Sequence, residues 1–187
     1  MEHPRAASII GGWPEESKEA AQLVLDTYGE PTEATGSMLV WHDTGPWKRI
    51  VASRVYFDHQ FPAPHTDSVE TFIDHNVPTE YFTALAEFDG SVVVERTAGE
   101  VSARCHDEQA NFLALNLMND IVTGSKDVAQ ARDYYAKEFL DARRNEPTPY
   151  MEKLHFSPAD RSNDPDERVI SDEQLNEAVA EGRRREG

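Results

Sequence analysis

The period at which apolar and polar positions recur changes along the chain, and each change marks an element. From Glu15 to Tyr28, residues Ala20, Ala21, Val24, Leu25 and Tyr28 recur at helical spacing behind three glutamates that favour a helix N-terminus. Gly29 and Pro31 stop this helix. Met38 to His42 and Lys48 to Phe57 then read as strands joined through Asp43-Thr44-Gly45-Pro46-Trp47. Pairing Trp41 with Ile50 and Leu39 with Ala52 puts those four side chains on one face, with Val40, His42, Arg49 and Val51 on the other. Val69, Phe72 and Ile73 predict a short helix over 67–75, and Tyr81, Phe82, Leu85 and Phe88 predict another over 79–88, closed by Asp89-Gly90.

A second hairpin is expected over 91–96 and 100–105, turning at Thr97-Ala98-Gly99. With Arg96 opposite Val101, its apolar face holds Val92, Val94, Ala103 and Cys105, and its polar face Val93, Glu95, Ser102 and Arg104. Asp107 is the expected cap of a helix reaching Val122, apolar around most of its circumference and therefore central and buried. Within it Asn116, Asn119 and Asp120 need polar partners from backbone, from one another or from a ligand. Ser125 is read as the cap of a helix over 126–144, with Asp133 and Lys137 as an i,i+4 pair. Beyond Asn145 the chain is rich in proline and charge, as in 163–167, until Ser171 and Gln174 open a last short helix as a capping box.

These elements predict an α+β fold: a single layer of about four antiparallel strands, arranged as two hairpins and covered by helices on one face. Residues 1–144 form the expected compact domain, and 145–187 an extended, partly mobile tail with a short terminal helix. Tyr150, Met151, Leu154 and Phe156 make an apolar knot in that tail, suited either to a neighbouring subunit or to an edge of its own domain.

Composition narrows the partners. The 187 residues carry a net charge of −17, and between Asp58 and Glu100 nine acids face a single cation, Arg96. Such a surface repels phosphate backbones and anionic lipid, so neither nucleic acid nor membrane is expected as a partner. The start has no basic segment followed by a long apolar one, no run approaches a membrane span, and the lone Cys105 excludes an internal disulfide. A cytoplasmic setting is the expectation.

Two places hold candidate chemistry. Imidazoles and carboxylates gather between Asp58 and His75, where His59, His65, Asp67, Glu70 and His75 are candidate ligands for Zn²⁺, Mn²⁺ or Fe²⁺. If 67–75 were helical, Asp67, Glu70 and Asp74 would share one face, where they would equally favour the helix N-terminus without a metal. For His59 and His65 to converge, the loop between them must fold back. The second place is the polar face of the later hairpin, where Glu95, Arg104 and His106 form a candidate acid–base or carboxylate-gripping trio, or a solvated cross-strand ion pair. Cys105, on the apolar face beside carboxylates, reads as a buried hydrophobe. No glycine-rich phosphate loop, nucleophile elbow or Cys-x-x-Cys pair occurs, so no organic cofactor is implied. Two functions fit: a non-catalytic binding or assembly module that self-associates through residues 145–187, or a metal-binding protein or metal-dependent enzyme using the 58–75 cluster.

Overall fold

The computed structural model describes residues 6–159 and 166–185. The proline- and acid-rich run at 163–165 therefore lies outside the described residues. In chain order the elements are α1 (Ala6–Ile10), α2 (Glu15–Tyr28), β1 (Glu33–Ala34), β2 (Met38–Thr44), β3 (Trp47–His59) and β4 (His65–Asp74). A 3₁₀ turn (Thr79–Tyr81) then leads into α3 (Phe82–Phe88), followed by β5 (Val92–Glu95), β6 (Glu100–Cys105), α4 (Glu108–Val122), α5 (Val128–Arg143), α6 (Pro149–Glu152) and α7 (Asp172–Arg185). The α+β class stands, but the sheet has six strands, not about four, in the order β1-β2-β3-β4-β6-β5, and every pairing is antiparallel.

The main correction is β4, which replaces the helix expected over 67–75 and joins the two hairpins into one sheet. Val69, Phe72 and Ile73 satisfy helical spacing, yet the chain runs at period two, with Asp67, Val69, Thr71 and Ile73 buried on one side. Phe72 points the other way, beneath the Arg49 guanidinium, 3.7 Å from its ring centroid. The first hairpin has the expected register, Trp41 with Ile50 and Leu39 with Ala52. The second is slipped by two residues, with Glu95 opposite Glu100, because the turn takes in Arg96 to Gly99 and the Glu95 carboxylate accepts the amides of Thr97 and Ala98. A slip of two leaves each side chain on its expected face.

Leu39, Trp41, Ile50, Ala52, Val69, Ile73, Val101 and Ala103 line the covered face of the sheet and form one core with α2 and α4. All three tryptophans are buried and each indole N–H has an acceptor: Trp13 the Gly36 carbonyl, Trp41 the Gly29 carbonyl and Trp47 the Glu108 carboxylate. The β2–β3 turn needs glycine at Gly45. There φ is +59° and a Cβ would lie 2.7 Å from the Tyr28 hydroxyl.

Asp107 caps α4 as expected, its carboxylate accepting the Ala110 amide at 2.8 Å. Helix α5 starts later than expected: Asp127 rather than Ser125 is its cap, in a reciprocal box with Gln130. Lys137 bonds Asp141 at 2.6 Å instead of Asp133. The apolar knot of the tail packs back on its own domain. Met151 is buried, and Asn116 donates to the carbonyls of Tyr150 and Lys153 while accepting the His155 amide. Asp120 receives Lys126 and the Tyr150 hydroxyl, so of Asn116, Asn119 and Asp120 the first and last gain partners from this docking. Ser171 and Gln174 form the expected box ahead of α7, whose 14 residues exceed the short helix expected and include none that is buried.

Candidate metal centre

β3 and β4 are joined by the loop 60–64, with a cis bond between Phe61 and Pro62, and their last rung pairs His59 with His65. The fold-back required for these histidines to meet is thus made by the hairpin itself, and their ring centroids lie 4.9 Å apart. Asp67, two residues further along β4, points to the same side as His65. It is 1% exposed and sits between both rings, with His59 Nδ1 3.2 Å from Oδ2 and His65 Nε2 3.0 Å from Oδ1. His59, His65 and Asp67 each offer a ligand atom within 4.8 Å of the others.

Two groups that the sequence reading did not single out complete the cluster. The turn from α3 into β5 brings Asp89, 4% exposed, to 3.6 Å from His59 Nε2. Its carboxylate accepts the Ser91 amide at 2.8 Å, and the Ser91 hydroxyl donates to Asp67. In the sequence, Asp89-Gly90 carried only a helix-stop signal. Nothing local links that turn to a strand end more than twenty residues earlier.

His65 Nδ1 faces the Ala63 carbonyl at 2.8 Å, which makes that nitrogen the protonated one and turns the Nε2 lone pair inward. His65 Nε2 and Asp67 Oδ1 are both buried and lack a hydrogen-bond partner, although they face each other at 3.0 Å. Two lone pairs at that separation call for a positive charge between them. A proton on His65 or a metal ion meets that demand.

The electrostatics express the same demand. The Asp67 carboxylate beside it raises the His65 pKa above 6.5, against the opposing effect of burial. Burial alone would raise Asp67, but the facing imidazole of His65 and the hydrogen bond from Ser91 outweigh that and hold it below 3.8. Asp89 is pushed up, first by burial and then by the nearby Asp67 charge, while its Ser91 hydrogen bond and His59 oppose the rise. Without a metal, the His65–Asp67 pair therefore stabilises the fold most fully between about pH 3.8 and 6.5; His65's share is lost as pH rises through its folded value, and Asp67's as pH falls through its own.

The remaining candidates do not join this cluster. Glu70 lies on the opposite face of β4, accepting the Ser102 hydroxyl at 2.6 Å and facing Arg104. His75 packs its ring against Phe156, and burial lowers its pKa. Asp74 pairs with Lys48 at 2.7 Å. Glu95, Arg104 and His106 are dispersed: Glu95 caps its own turn, Arg104 lies between Glu70 and the Phe57 ring, and His106 faces α2 near Lys18 and Gln22. Cys105 is buried and its thiol pKa is pushed well up by burial and the neighbouring aspartates, as its place on the apolar face implied.

The chain is thus an α+β protein with a six-stranded antiparallel sheet and a buried His–His–Asp group at one end of it. No helix among the described residues is long and apolar enough to cross a membrane. No known family model matches the sequence, no curated protein matches it, and no solved structure matches its fold.

Proposed function

We propose that this protein binds one divalent transition metal ion, Zn²⁺ being the best fit, through His59 Nδ1, His65 Nε2 and the Asp67 carboxylate. The observation that carries this reading is the pair of buried, unpartnered atoms His65 Nε2 and Asp67 Oδ1 facing each other at 3.0 Å. Ligand atoms held at bond lengths of about 2.0–2.1 Å around a tetrahedral ion lie about 3.3 Å apart; His59 Nδ1 is 3.2 Å from Asp67 Oδ2 and His65 Nε2 is 3.0 Å from Oδ1, and the three residues offer ligand atoms within 4.8 Å of one another. His65 has the Ala63 carbonyl as acceptor behind it at 2.8 Å, and the Asp89 carboxylate lies 3.6 Å behind His59. Such outer partners orient histidine ligands and raise their basicity. The His59 and His65 side chains are 19% and 15% exposed, so an ion between them would be partly shielded from solvent. The ion's role is to close the end of the β3–β4 hairpin, which supplies all three ligands, in a cytoplasmic binding module.

Titration of the chelator-stripped full chain with Zn²⁺, Mn²⁺ and Fe²⁺ tests this, read by metal stoichiometry and thermal midpoint. One Zn²⁺ per chain is expected, with a stabilisation of about 2.7 kcal/mol at a hundredfold excess over Kd. The gain should be larger at pH 8 than at pH 6, because the ion displaces a proton from His65. Absence of stoichiometric metal in the parent, or binding that survives both His59→Ala and His65→Ala, rejects the site.

A second reading, self-association, is favoured by α7. Its Leu175 and Val179 are 52% and 47% exposed, and it ends in Arg183, Arg184 and Arg185. In a chain of net charge −17, the arginine cluster at its C-terminal end, beside the exposed Leu175 and Val179, complements the acidic 58–100 stretch of a second copy. Residues 149–156 are engaged on their own domain, so the assembling segment is 166–185 rather than the whole of 145–187. Light scattering should give a dimer for the full chain and a monomer for a chain ending at Ala159. Monomers in both cases remove this role.

A further inference from the structure

Helix α7 is 14 residues long and none of its residues is buried. A helix of that length is marginal in water unless something covers its apolar face. That face is a narrow stripe of Leu175, Ala178, Val179 and Gly182, in which Leu175 and Val179 are about half exposed and Gly182 has open space where a side chain would stand. The charge of α7 is segregated along its length. Asp172, Glu173, Glu177 and Glu181 precede Gly182 with no base among them, and Arg183, Arg184 and Arg185 follow it. The ion pairs Arg168–Asp172 and Glu181–Arg185 are solvated i,i+4 contacts that exchange readily for others.

We propose that α7 is the contact by which two copies of this chain associate, pairing antiparallel with the α7 of the second copy about a two-fold axis at its midpoint. The inference rests on the self-association proposed above and names the surface that receives the helix. One register brings Leu175 opposite Gly182 and Val179 opposite Ala178, so that each large side chain meets a small one and every contact repeats by symmetry. The same register decides the ends. Asp172 and Arg183 are eleven residues apart, three helical turns, and so flank the stripe on the same side. An antiparallel two-fold keeps that side in common. Asp172 of each copy therefore comes beside Arg183 of the other, and the acidic part of each helix runs along the arginine end of its mate. A parallel pair would set acids against acids and arginines against arginines. Residues 149–156 stay docked on their own domain, so the pairing asks for no rearrangement of the fold.

A light-scattering concentration series on the full chain tests the contact, and a dimer is expected. Asp172→Arg and Arg183→Asp each replace two attractive contacts by two repulsive ones and should weaken dimerisation about tenfold. An equimolar mixture of the two variants restores both contacts in a heterodimer and should associate more tightly than either variant alone. That rescue separates pairing from loss of helix, which mixing does not repair. Since no residue of α7 is buried, the thermal midpoint of the compact domain should be the same in all three chains. A parent that is monomeric at every concentration overturns both this contact and the self-association it rests on. A dimer unmoved by Asp172→Arg, or a mixture no tighter than its components, overturns the α7 pairing while self-association through the acidic 58–100 stretch still stands.

Discussion

Replacing Asp67 by alanine is expected to destabilise the metal-free protein by roughly 3–5 kcal/mol, the usual cost of removing one partner from a buried charged cluster. Asp67 is 1% exposed and is approached by His59, His65 and the Ser91 hydroxyl, so its loss strands three polar groups at once. Denaturant unfolding in the presence of a chelator measures the effect, and added Zn²⁺ should no longer shift the midpoint. Asp67→Asn keeps the volume and one acceptor, and should cost less while still abolishing the response to metal. A variant at alanine within about 0.5 kcal/mol of the parent, the range typical of a neutral surface change, would mean that the cluster anchors nothing. Acid acts through the same residue. The Asp67 pKa lies below 3.8 in the fold, so its contribution is present above pH 3.8 and disappears as pH falls through the folded value.

The other large effect is expected at Asn116, 2% exposed on α4, whose side chain makes three bonds to tail backbone. It donates to the Tyr150 and Lys153 carbonyls at 3.0 and 2.8 Å, and accepts the His155 amide at 2.7 Å. Asn116→Ala leaves those groups unpaired in a partly buried seam, at a cost of roughly 2–4 kcal/mol. Residues 149–156 should then detach, exposing Met151 and the adjoining wall of the core. Limited proteolysis reads this directly as new cleavage between α6 and Ala159. A variant as resistant as the parent would show that apolar contacts alone hold the segment. Asn116→Asp discriminates further, since it retains the acceptor for His155 and loses both donors.

The parts legible in the sequence were those where local signals and burial agree. Helix α2 has the bounds its spacing predicts, α4 begins on its aspartate cap, and the first hairpin has the register set by Trp41 and Ile50. The failure at β4 has a specific cause. Its inward positions read Asp67, Val69, Thr71, Ile73 and its outward ones Ser68, Glu70, Phe72, Asp74. The polar Asp67 and Thr71 stand inward and an aromatic stands outward beneath Arg49, so the alternation that identifies a strand is broken on both faces. Val69, Phe72 and Ile73 were then free to mimic a helix. Of the residues that obscured the strand, Asp67 is the one the candidate metal centre uses.

The candidate ligands were legible only as types. Imidazole and carboxylate near one another in the chain drew His59, His65 and Asp67 into consideration, but drew Glu70 and His75 equally, because proximity in sequence does not tell which face of a strand a side chain takes. Asp89 and Ser91 had no signal at all, since the turn that carries them reaches the cluster only after β5 and β6 have joined the sheet beside β4.

By itself, the sequence determined the class of fold, the extents of α2, β6 and α4, the burial of Trp41 and Cys105, and the net acidity of the chain. These follow from local propensity, periodicity and net charge, which need no knowledge of neighbours. Only the tertiary structure decided that β4 is a strand, that His59 meets His65 across a hairpin while His75 goes elsewhere, and that the tail closes on its own α4. Each of these depends on pairing between distant segments, where the free energy comes from contacts that no single stretch of the chain contains.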